Sequence, residues 1–433
     1  ITVLGIVAVA YGNLGSGMTI GERMPLIGVG SFLLFIGIAL LSPKFVAPLA
    51  SVLGRPGEKI GGAAGAIARR NAIRKPGRTA ATAAALMIGI ALVTFVAVLA
   101  AAVKHSAEGG IRSSLGSTDY VVSAQDNWSP VTKEAKNAAA SAPGVSSVQG
   151  IREDEAKIGK SKIRVDGVNP GQLGSVFHYV WKDGYSDADV TKLNSGGALV
   201  LSDYAKKHHL KAGSPVTLTS QAGKKLTVHV AGITDAKMNG LYLADVTVSN
   251  ATFGKYFHAD GDRFAFVKGG SLPELQQALK DYPAAKVATA SKFIDDQLSW
   301  MKSMLAILYV MLAFAVIVSL FGIVNTLALS VVERTREIGM LRAVGMTRRQ
   351  TRRMVRHESI VTALIGATLG AAVGLFLGAM TVEALRGEGM TFILPIGTLI
   401  AFVVIAVVAG TLAAIAPARR ASRLDVLNAL QYV

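Results

Sequence analysis

Six stretches of this chain contain no charged residue and alternate with polar segments of very different length. A helix needs about 20 apolar residues to cross a hydrocarbon core of about 30 Å, so uncharged runs of this length predict transmembrane helices. The first run is the weakest, because its apolar core at 1–11 is followed by a Gly- and Ser-containing, loop-like stretch at 12–17. We predict six spans within Ile1–Gly21, Met24–Pro43, Thr79–Val103, Ser303–Val332, Ser359–Val382 and Gly389–Ala418.

The polar segments differ in charge. Segments 42–79, 331–358 and 415–433 together carry a net charge of +14, out of +17 for the chain, whereas the long region 104–299 has 23 basic and 20 acidic residues. Short basic segments beside spans stay in the cytoplasm. We therefore predict a multi-pass plasma-membrane protein with 104–299 extracytoplasmic and with 333–358 and the C-terminus cytoplasmic. Nucleic-acid binding is disfavoured, because no basic patch carries interleaved aromatic residues.

Both the start of the chain and its cysteine count are informative. Ile1 lies inside an apolar run, without a basic leader or a small-residue cleavage site, so we expect a fragment of a longer protein and no signal peptide. Cysteine is absent, which excludes disulfides and thiolate metal sites.

The inner segment before the third span has a helical pattern that Pro76 and Gly77 interrupt. Its apolar residues share one face and its basic residues share the other, which predicts a short helix lying on the inner leaflet. A plain basic loop that anchors the span is the alternative. Thr79 is expected to cap the span that follows. The predicted apolar face consists of Ala64, Ile67, Ala68, Ala72 and Ile73.

Small residues recur in the third and fifth spans. Gly366, Gly370, Gly374 and Gly378 lie on one face of the fifth span, at intervals of four. Small residues let helices approach closely in lipid, so both spans are predicted to pack against other helices. The pattern leaves open whether those helices belong to the same fold or to a second copy.

The region 104–299 alternates between strand-like and helix-like segments, which indicates an α+β domain. The pattern is compatible with two subdomains, one βαβ-like and the other richer in strands. The strands are expected at 120–123, 162–168, 198–201, 215–220, 224–233, 241–248, 263–268 and 285–288, and the helices at 203–210 and 272–282.

The fourth span is longer than a bilayer requires. Its 30 uncharged residues correspond to about 45 Å of helix. Residues 291–304 continue the helical spacing, with Trp300 where an interfacial aromatic residue is expected. We predict a stalk that joins this span to the external domain, and the alternative is a tilted span with a local break.

The sequence contains no recognisable catalytic or metal-binding pattern. His208 and His209 are adjacent and therefore face different sides of a helix, which does not suit a two-ligand zinc face. A phosphate-binding loop of the Gly-x-x-x-x-Gly-Lys-Ser/Thr type is absent, so we expect no ATP hydrolysis by such a loop on this chain. The predicted spans have almost no ionisable residue, which argues against an ion-coupled carrier.

The segment 333–358, ERTREIGMLRAVGMTRRQTRRMVRHE, is a basic segment between two predicted spans. A helix over 331–343 is predicted to continue the fourth span, followed by a turn at Gly345 and a capping box formed by Thr347 and Gln350. Apolar residues at the tip favour docking to a partner, and the alternative is a basic anchor whose apolar side chains enter the lipid. The tip residues are Leu341, Ala343, Val344 and Met346.

This segment resembles the coupling segment of the FtsX-like permease family, the membrane subunits of MacB-type ABC transporters. The segment ARRNAIRKPGRTAATAAALMIG, residues 68–89, resembles the start of the family's first span, and PARRASRLDVLNAL resembles its closing tail, with Pro417, Ala418, Leu427 and Leu430. The resemblance covers residues 64–433. The first two spans resemble the hairpin that links two tandem units in ten-span permeases. The matching motif positions are Glu333, Arg334, Glu337, Ile338, Gly339, Arg342, Ala343, Gly345 and Met346.

The resemblance implies that the chain couples ATP hydrolysis to movement of its external domain without passing a substrate through the bilayer. It implies a dimeric cytoplasmic P-loop ABC ATPase as partner, which holds ATP and magnesium, so that no cofactor is expected on this chain. It also implies a second permease unit, either a tandem half or a separate chain, and contact of the spans with membrane lipid. The ATPase contact is expected at Glu333, Arg334, Glu337, Gly339, Leu341, Arg342, Ala343, Val344, Gly345, Met346 and Arg348.

Three functions are compatible with the sequence. The first is a permease subunit that exports or extracts lipids, lipoproteins, peptides or antibiotics. The second is an FtsX-like regulator that activates an extracellular cell-wall hydrolase. The third is a membrane receptor or adaptor without an ATPase. The size of the external domain and the additional hairpin favour the first.

The expected fold class is an α-helical membrane protein of about six transmembrane helices with one large α+β extracytoplasmic domain. The expected segments are a hairpin at 1–43, a cytoplasmic loop with an interfacial helix at 44–79, a span at 80–103, the external domain at 104–299, a long span with its stalk at 300–332, the coupling segment at 333–358, spans at 359–382 and 389–416, and a cytoplasmic tail at 417–433.

Overall fold

A computed structural model describes residues 1–14, 20–74, 76–159, 161–235 and 244–424. The chain divides into two compact units, Ile1–Val103 with Ser303–Val433, and Lys104–Lys302. The helices are α1 (Thr2–Leu14), α2 (Ile20–Leu53), α3 (Arg55–Gly61), α4 (Ala63–Arg74), α5 (Pro76–Leu115), α6 (Lys133–Ala140), α7 (Pro170–Leu173), α8 (Ser202–Lys207), α9 (Asn250–Tyr256), α10 (Leu272–Ala278), α11 (Ala290–Gln297), α12 (Ser299–Glu333), α13 (Thr335–Ala343), α14 (Arg348–Ala384), α15 (Ile396–Ala413) and α16 (Ile415–Arg423).

Four helical stretches in the described part of the chain are long and apolar enough to cross a membrane: Gly21–Leu53, Leu86–Leu115, Arg348–Ala384 and Ile396–Arg423. Two apolar helical stretches are shorter, Thr2–Asn13 and Leu320–Glu333. The second of these is the end of α12, which has 35 residues in all. The predicted fold class, an α-helical membrane protein with one large α+β domain, is confirmed. Of the six predicted spans, four correspond to these long stretches, and the first and fourth correspond to the two shorter ones.

The ends of the first two helices differ from the prediction. Gly12 to Leu14 belong to α1 instead of a loop, and Gly15 to Gly17 lie outside the described residues. The second helix does not stop at Pro43 but continues to Leu53, with Pro43 and Pro48 inside it. Neighbouring helices can compensate for the hydrogen bonds that a proline removes in such helices, so proline is a poor boundary signal here.

Helix α4 is present as predicted, but its apolar face packs on protein. Ala68 and Ala72 are 0% and 1% exposed, and Ile73 is half-buried against a cluster that includes Val361 of α14. Thr79 does not cap the next helix, because α5 begins at Pro76 and Thr79 lies within its first turn. Proline suits a first helical position, since its missing N–H has no intrahelical partner there.

The glycine row of α14 packs against α5. Without a side chain at these positions, the two backbones approach closely. A Cβ added to Gly366 would lie 2.7 Å from the carbonyl oxygen of Ala83, and one added to Gly370 would lie 2.5 Å from that of Met87. Gly374 similarly faces the Ala91 carbonyl group, and Gly378 faces Val98. The row therefore serves packing within the chain.

The external unit contains one nine-stranded sheet in the order β11-β1-β10-β3-β4-β8-β5-β7-β6, and β2 pairs with β9 separately. The strands are β1 (Tyr120–Ala124), β2 (Val131–Thr132), β3 (Val145–Ile158), β4 (Ser161–Val168), β5 (Gly197–Leu201), β6 (Pro215–Ser220), β7 (Lys225–Thr234), β8 (Val246–Ser249), β9 (Gly261–Asp262), β10 (Phe264–Gly269) and β11 (Ala285–Thr289).

Strand β3 joins two hydrophobic cores. It pairs with β4 and also, through Ala156 and Lys157, with β6, which closes six strands into a ring around one core. Helices α6 and α10 cover the other core on β1 and β10, where Val122, Val267 and Leu275 are buried. The two subdomains suggested by the sequence thus correspond to two cores that share one continuous sheet.

Most predicted external elements are present with small shifts, but three differ. Helix α8 ends at Lys207, before the predicted end at Leu210, and α10 ends at Ala278, before Tyr282. Of the predicted strand 241–248, residues 241–243 lie outside the described residues, 244 and 245 are not in a strand, and the rest belongs to β8. Strand β3 and helix α6 were missed, since β3 is charged over much of its length and lacks alternation.

The predicted helix over 291–304 is interrupted at Leu298, where α11 ends and α12 begins at Ser299. Phe293 and Ile294 of α11 are buried, and the Phe293 ring lies edge-on against Phe264, 5.2 Å between centroids. This packing fixes α11 on the sheet, which accounts for the break. The side chain of Trp300 is not among those that the structure describes.

Candidate functional site: the coupling segment

The coupling segment, residues 333–358, begins with a break that the sequence analysis did not predict. Helix α12 ends at Glu333, and Arg334 leaves the helical conformation with φ −106° and ψ 18° before α13 starts at Thr335. The Thr335 hydroxyl donates to the carbonyl oxygen of Val332 at 2.7 Å. The predicted single helix over 331–343 is therefore wrong, and two helices meet at Arg334.

Arg334 is the central charged residue of this junction. Its Nε donates to Glu337 at 2.8 Å, and one terminal nitrogen donates to both carboxylate oxygens of Glu358 at 3.0 and 3.1 Å. The side chains of Arg334 and Glu358 are only 11% and 17% exposed. Although burial opposes its charge, the carboxylates of Glu358 and Glu337 hold the pKa of Arg334 above its ordinary value.

A second ion pair lies beside the first. The Arg78 guanidinium, near the start of α5, contacts the Glu333 carboxylate and also donates to the Ser330 hydroxyl at 3.3 Å. Arg78, Arg334 and Glu358 line a common cavity of about 150 Å³. Three of the motif residues, Glu333, Arg334 and Glu337, are thus engaged within the chain. We call the group Arg78, Glu333, Arg334, Glu337 and Glu358 the charged clasp.

The apolar residues of the segment divide between two sides. Ile338 and Gly339 of α13 are buried. Leu341 and Met346 are half-buried against a cluster that includes Met354 and Val355 of α14. Their prediction as exposed tip residues is wrong, because Leu341 lies one helical turn after Ile338 and so shares its buried face.

Ala343 and Val344 form the exposed part of the tip, and Val344 is 90% exposed. The chain then turns at Gly345, whose φ of +113° is a conformation that side-chain-bearing residues rarely adopt.

The predicted capping box at the start of α14 is confirmed. The amide of Gln350 donates to the Thr347 hydroxyl at 3.3 Å, and the amide of Thr347 donates to Gln350 Oε1 at 2.9 Å. Both orphan donors of the helix start are therefore satisfied, which fixes where the chain leaves the exposed tip. Arg348, in the first turn of α14, is exposed.

Helix α16 supports the segment from the side. Arg342 donates to the carbonyl oxygen of Leu424, and Arg352 Nε donates to the Ser422 hydroxyl at 3.0 Å. Pro417 and Ala418 are buried in α16. The predicted pair Leu427 and Leu430 lies outside the described residues.

All eleven predicted residues lie between the end of α12 and the first turn of α14, but only part of them faces outward. Their contact with an ATPase stays a prediction. Sequence reasoning missed Arg78 and Glu358 as members. Glu358 is an acidic residue at the end of a run of arginines, and an isolated carboxylate in a basic segment is a signal that could have indicated an ion pair.

Two family models match the chain. The FtsX-like permease C-terminal domain matches residues 309–426, which contain the coupling segment, and the MacB-like periplasmic core domain matches residues 79–282, which contain most of the external sheet. An uncharacterized ABC transporter permease protein of Mycobacterium tuberculosis is 25% identical over 363 residues, covering 76% of this chain and 40% of that protein. The chain therefore spans less than half the length of this relative.

Two solved structures are similar to part of the chain. The periplasmic region of MacB from Actinobacillus actinomycetemcomitans is 12% identical and covers 42% of this chain and 93% of its own, with a TM-score of 0.31. The extracellular domain of the noncanonic ABC-type transporter YknZ from Gram-positive bacteria is 17% identical and covers 40% and 98%, with a TM-score of 0.28.

The matched domains define the class of the two units, an FtsX-like permease C-terminal domain and a MacB-like periplasmic core domain. Taken together, the chain is similar to ABC-transporter permeases of the MacB/FtsX type. The resemblance inferred from the coupling segment is confirmed.

Proposed function

We propose that this chain receives mechanical work from a separate cytoplasmic ATPase at the exposed tip of the coupling segment and uses it to move its external domain. The observation that carries the proposal is the tip itself, where Val344 is 90% exposed between two braced helices. An apolar side chain presented on a fixed turn leaves water when a partner covers it, which favours a buried contact there.

The surroundings of Val344 support a protein partner over a lipid contact. Exposed arginines follow within five residues, at Arg348 and Arg349. An apolar centre with charged residues at its edge is the arrangement of a protein interface. Because the underside of the tip is packed against α14, its conformation is already formed before binding, which lowers the entropic cost of docking.

The partner fitting this role is a dimeric P-loop ABC ATPase, which would bind ATP and magnesium, so that this chain holds no cofactor. A second permease unit and lipid would cover the apolar side chains that α12 and α15 expose, such as Phe314, Phe321 and Val404. The short basic segments beside the predicted spans support a cytoplasmic tip with residues 104–299 outside. Movement of the external domain would export or extract lipids, lipoproteins, peptides or antibiotics.

The proposal is tested with the ATPase that co-purifies with the intact chain in lipid nanodiscs. Val344→Asp is expected to reduce ATPase binding roughly 30-fold, because losing a central apolar contact costs about 2 kcal/mol. Ile60→Asp is the matched control, since Ile60 is also an exposed apolar residue, at 82%, but lies in α3 outside the coupling segment. Equal binding by both variants and the wild type would refute the proposal, as would the consistent absence of an ATPase.

The alternative, activation of an external cell-wall hydrolase, uses the same ATPase contact. It is distinguished in a deletion strain complemented with wild type or Val344→Asp. Release or efflux of substrate that depends on Val344 supports the transport function. Hydrolase activity that depends on Val344, with unchanged efflux and lipoprotein release, supports the alternative.

A further inference from the structure

The charged clasp connects three long helices. Arg334 lies between α12 and α13, Glu358 lies in α14, and Arg78 lies in the first turn of α5. Helices α5 and α14 are also in contact along the glycine row of α14. A displacement of α13 therefore acts on charged groups fixed to both other helices.

We propose that the charged clasp is the joint that transfers movement of the coupling segment to α5 and α14, with Arg78 and Glu358 as positioning residues that touch no partner. This inference rests on the proposed function. It assigns a role to two residues outside the tip, and it reassigns Arg334 from contact with the ATPase to transmission within the permease.

Burial and hydrogen bonding separate Arg334 and Glu358 from the tip. Arg334 and Glu358 are 11% and 17% exposed, whereas Val344 is 90% exposed. The Arg334 guanidinium already uses its Nε and one terminal nitrogen on the two carboxylates. A residue occupied in this way has little surface to offer a partner, so its charge serves the internal joint.

The chemistry suits a joint that stays closed during movement. One guanidinium holds two carboxylates in a fixed planar arrangement, which an ammonium group does not reproduce. Breaking a partly buried ion pair leaves an uncompensated charge. The helices joined by the clasp are therefore expected to move together with the preformed tip at Gly345.

Movement of the external unit can be measured after only two substitutions, because the chain contains no cysteine that would also take a label. Spin labels on Ile60→Cys and Lys280→Cys report one distance between the inner side of the bundle and the external unit, since both positions are exposed. The distance is recorded with and without ATP for the full chain bound to its ATPase in nanodiscs, and ATPase binding is measured in parallel.

Glu358→Gln is expected to bind the ATPase within about twofold of the wild type but to lose most of the ATP-dependent distance change. Arg334→Lys, which keeps the charge and loses the fork, is expected to give an intermediate distance change. Arg336→Lys is the matched control and is expected to behave as the wild type, because Arg336 is the exposed arginine two positions after Arg334.

The inference is overturned if Glu358→Gln and Arg334→Lys both keep the full distance change, or if they weaken ATPase binding as much as Val344→Asp does. Arg334→Lys keeps the test decisive if Glu358→Gln does not fold. A wild-type protein that binds no ATPase, or shows no distance change with ATP, would instead refute the proposed function, so the two failures are distinguishable.

Discussion

Gly370 of α14 lies so close to the carbonyl group of Met87 in α5 that a Cβ would be only 2.5 Å from the oxygen. This contact is one of four at intervals of one turn, and together they define how the two helices approach. In lipid, where the hydrophobic effect does not hold helices together, such close packing is a main source of stability.

Gly370→Val is therefore expected to destabilise the helical unit by about 1–3 kcal/mol, because the added side chain would push against backbone atoms that cannot move aside. Thermal unfolding of the purified chain in detergent measures the effect. Gly28→Val in α2 is the control, since a Cβ at Gly28 meets nothing within 4 Å. An equal loss of stability in both variants would show that helix propensity, not the contact, is responsible.

Local patterns predicted those parts of the fold that depend on local sequence. Uncharged runs located the membrane helices, and alternation located β6 and β7, because one face of each strand is buried. The capping box at Thr347 was also predictable, since its partner is three residues away. Pro43 led to a wrong predicted end for α2, because neighbouring helices can compensate for the hydrogen bond that a proline removes.

The charged clasp was not predictable from the same patterns. Opposite charges three residues apart are typical of a solvated helix surface, so the pattern alone gives no reason to expect that Arg334 is largely buried. Their partners are remote in sequence, with Glu358 24 positions from Arg334 and Arg78 255 positions from Glu333. Only the packing of α5, α12 and α14 brings these charges together.

Asp166 makes the stability of the external unit dependent on pH. The side chain is buried in β4, and its Oδ2 accepts a hydrogen bond from the Ala244 amide at 3.0 Å. Burial, with a smaller effect of the Glu153 charge, raises the pKa of Asp166 from 3.8 to about 7. The folded state therefore binds a proton that the unfolded state has lost between these two values.

Stability should fall as the pH rises through this window, by on the order of 2 kcal/mol between pH 5 and pH 7, and change little from this group above pH 7. Asp166→Asn is expected to remove that slope and to stabilise the unit at pH 8, because the amide keeps the acceptor without the charge. Denaturant unfolding followed by tryptophan fluorescence measures this pH dependence, since Trp128, Trp181 and Trp300 all belong to the external unit. The exposed Asp203→Asn is the control, and an unchanged slope in Asp166→Asn would contradict the assignment.

Gly150 provides room for a buried carboxylate. Asp262 is 1% exposed and lies 2.5 Å from Lys136 Nζ, and a Cβ on Gly150 would overlap its carboxyl group. Gly150→Ala is expected to lower the free energy of unfolding by about 1–3 kcal/mol by displacing this ion pair. Gly171→Ala, where a Cβ meets nothing within 4 Å, is the control for denaturant unfolding. The same small change in both would exclude the overlap as the cause.

Thr347 determines where α14 begins and therefore how the exposed tip is held. Its hydroxyl accepts the Gln350 amide hydrogen, so Thr347→Ala is expected to weaken the helix start by about 1 kcal/mol. Hydrogen exchange of the first-turn amides should become several-fold faster, since about 1 kcal/mol corresponds to roughly a fivefold change in an equilibrium constant. Thr347→Ser keeps the hydroxyl and should restore slow exchange. Because the cap orients Val344 through the turn at Gly345, Thr347→Ala should also weaken ATPase binding, although less than Val344→Asp. Faster exchange with unchanged binding would mean that the partner orders the tip on docking, and that the capping box serves the helix alone.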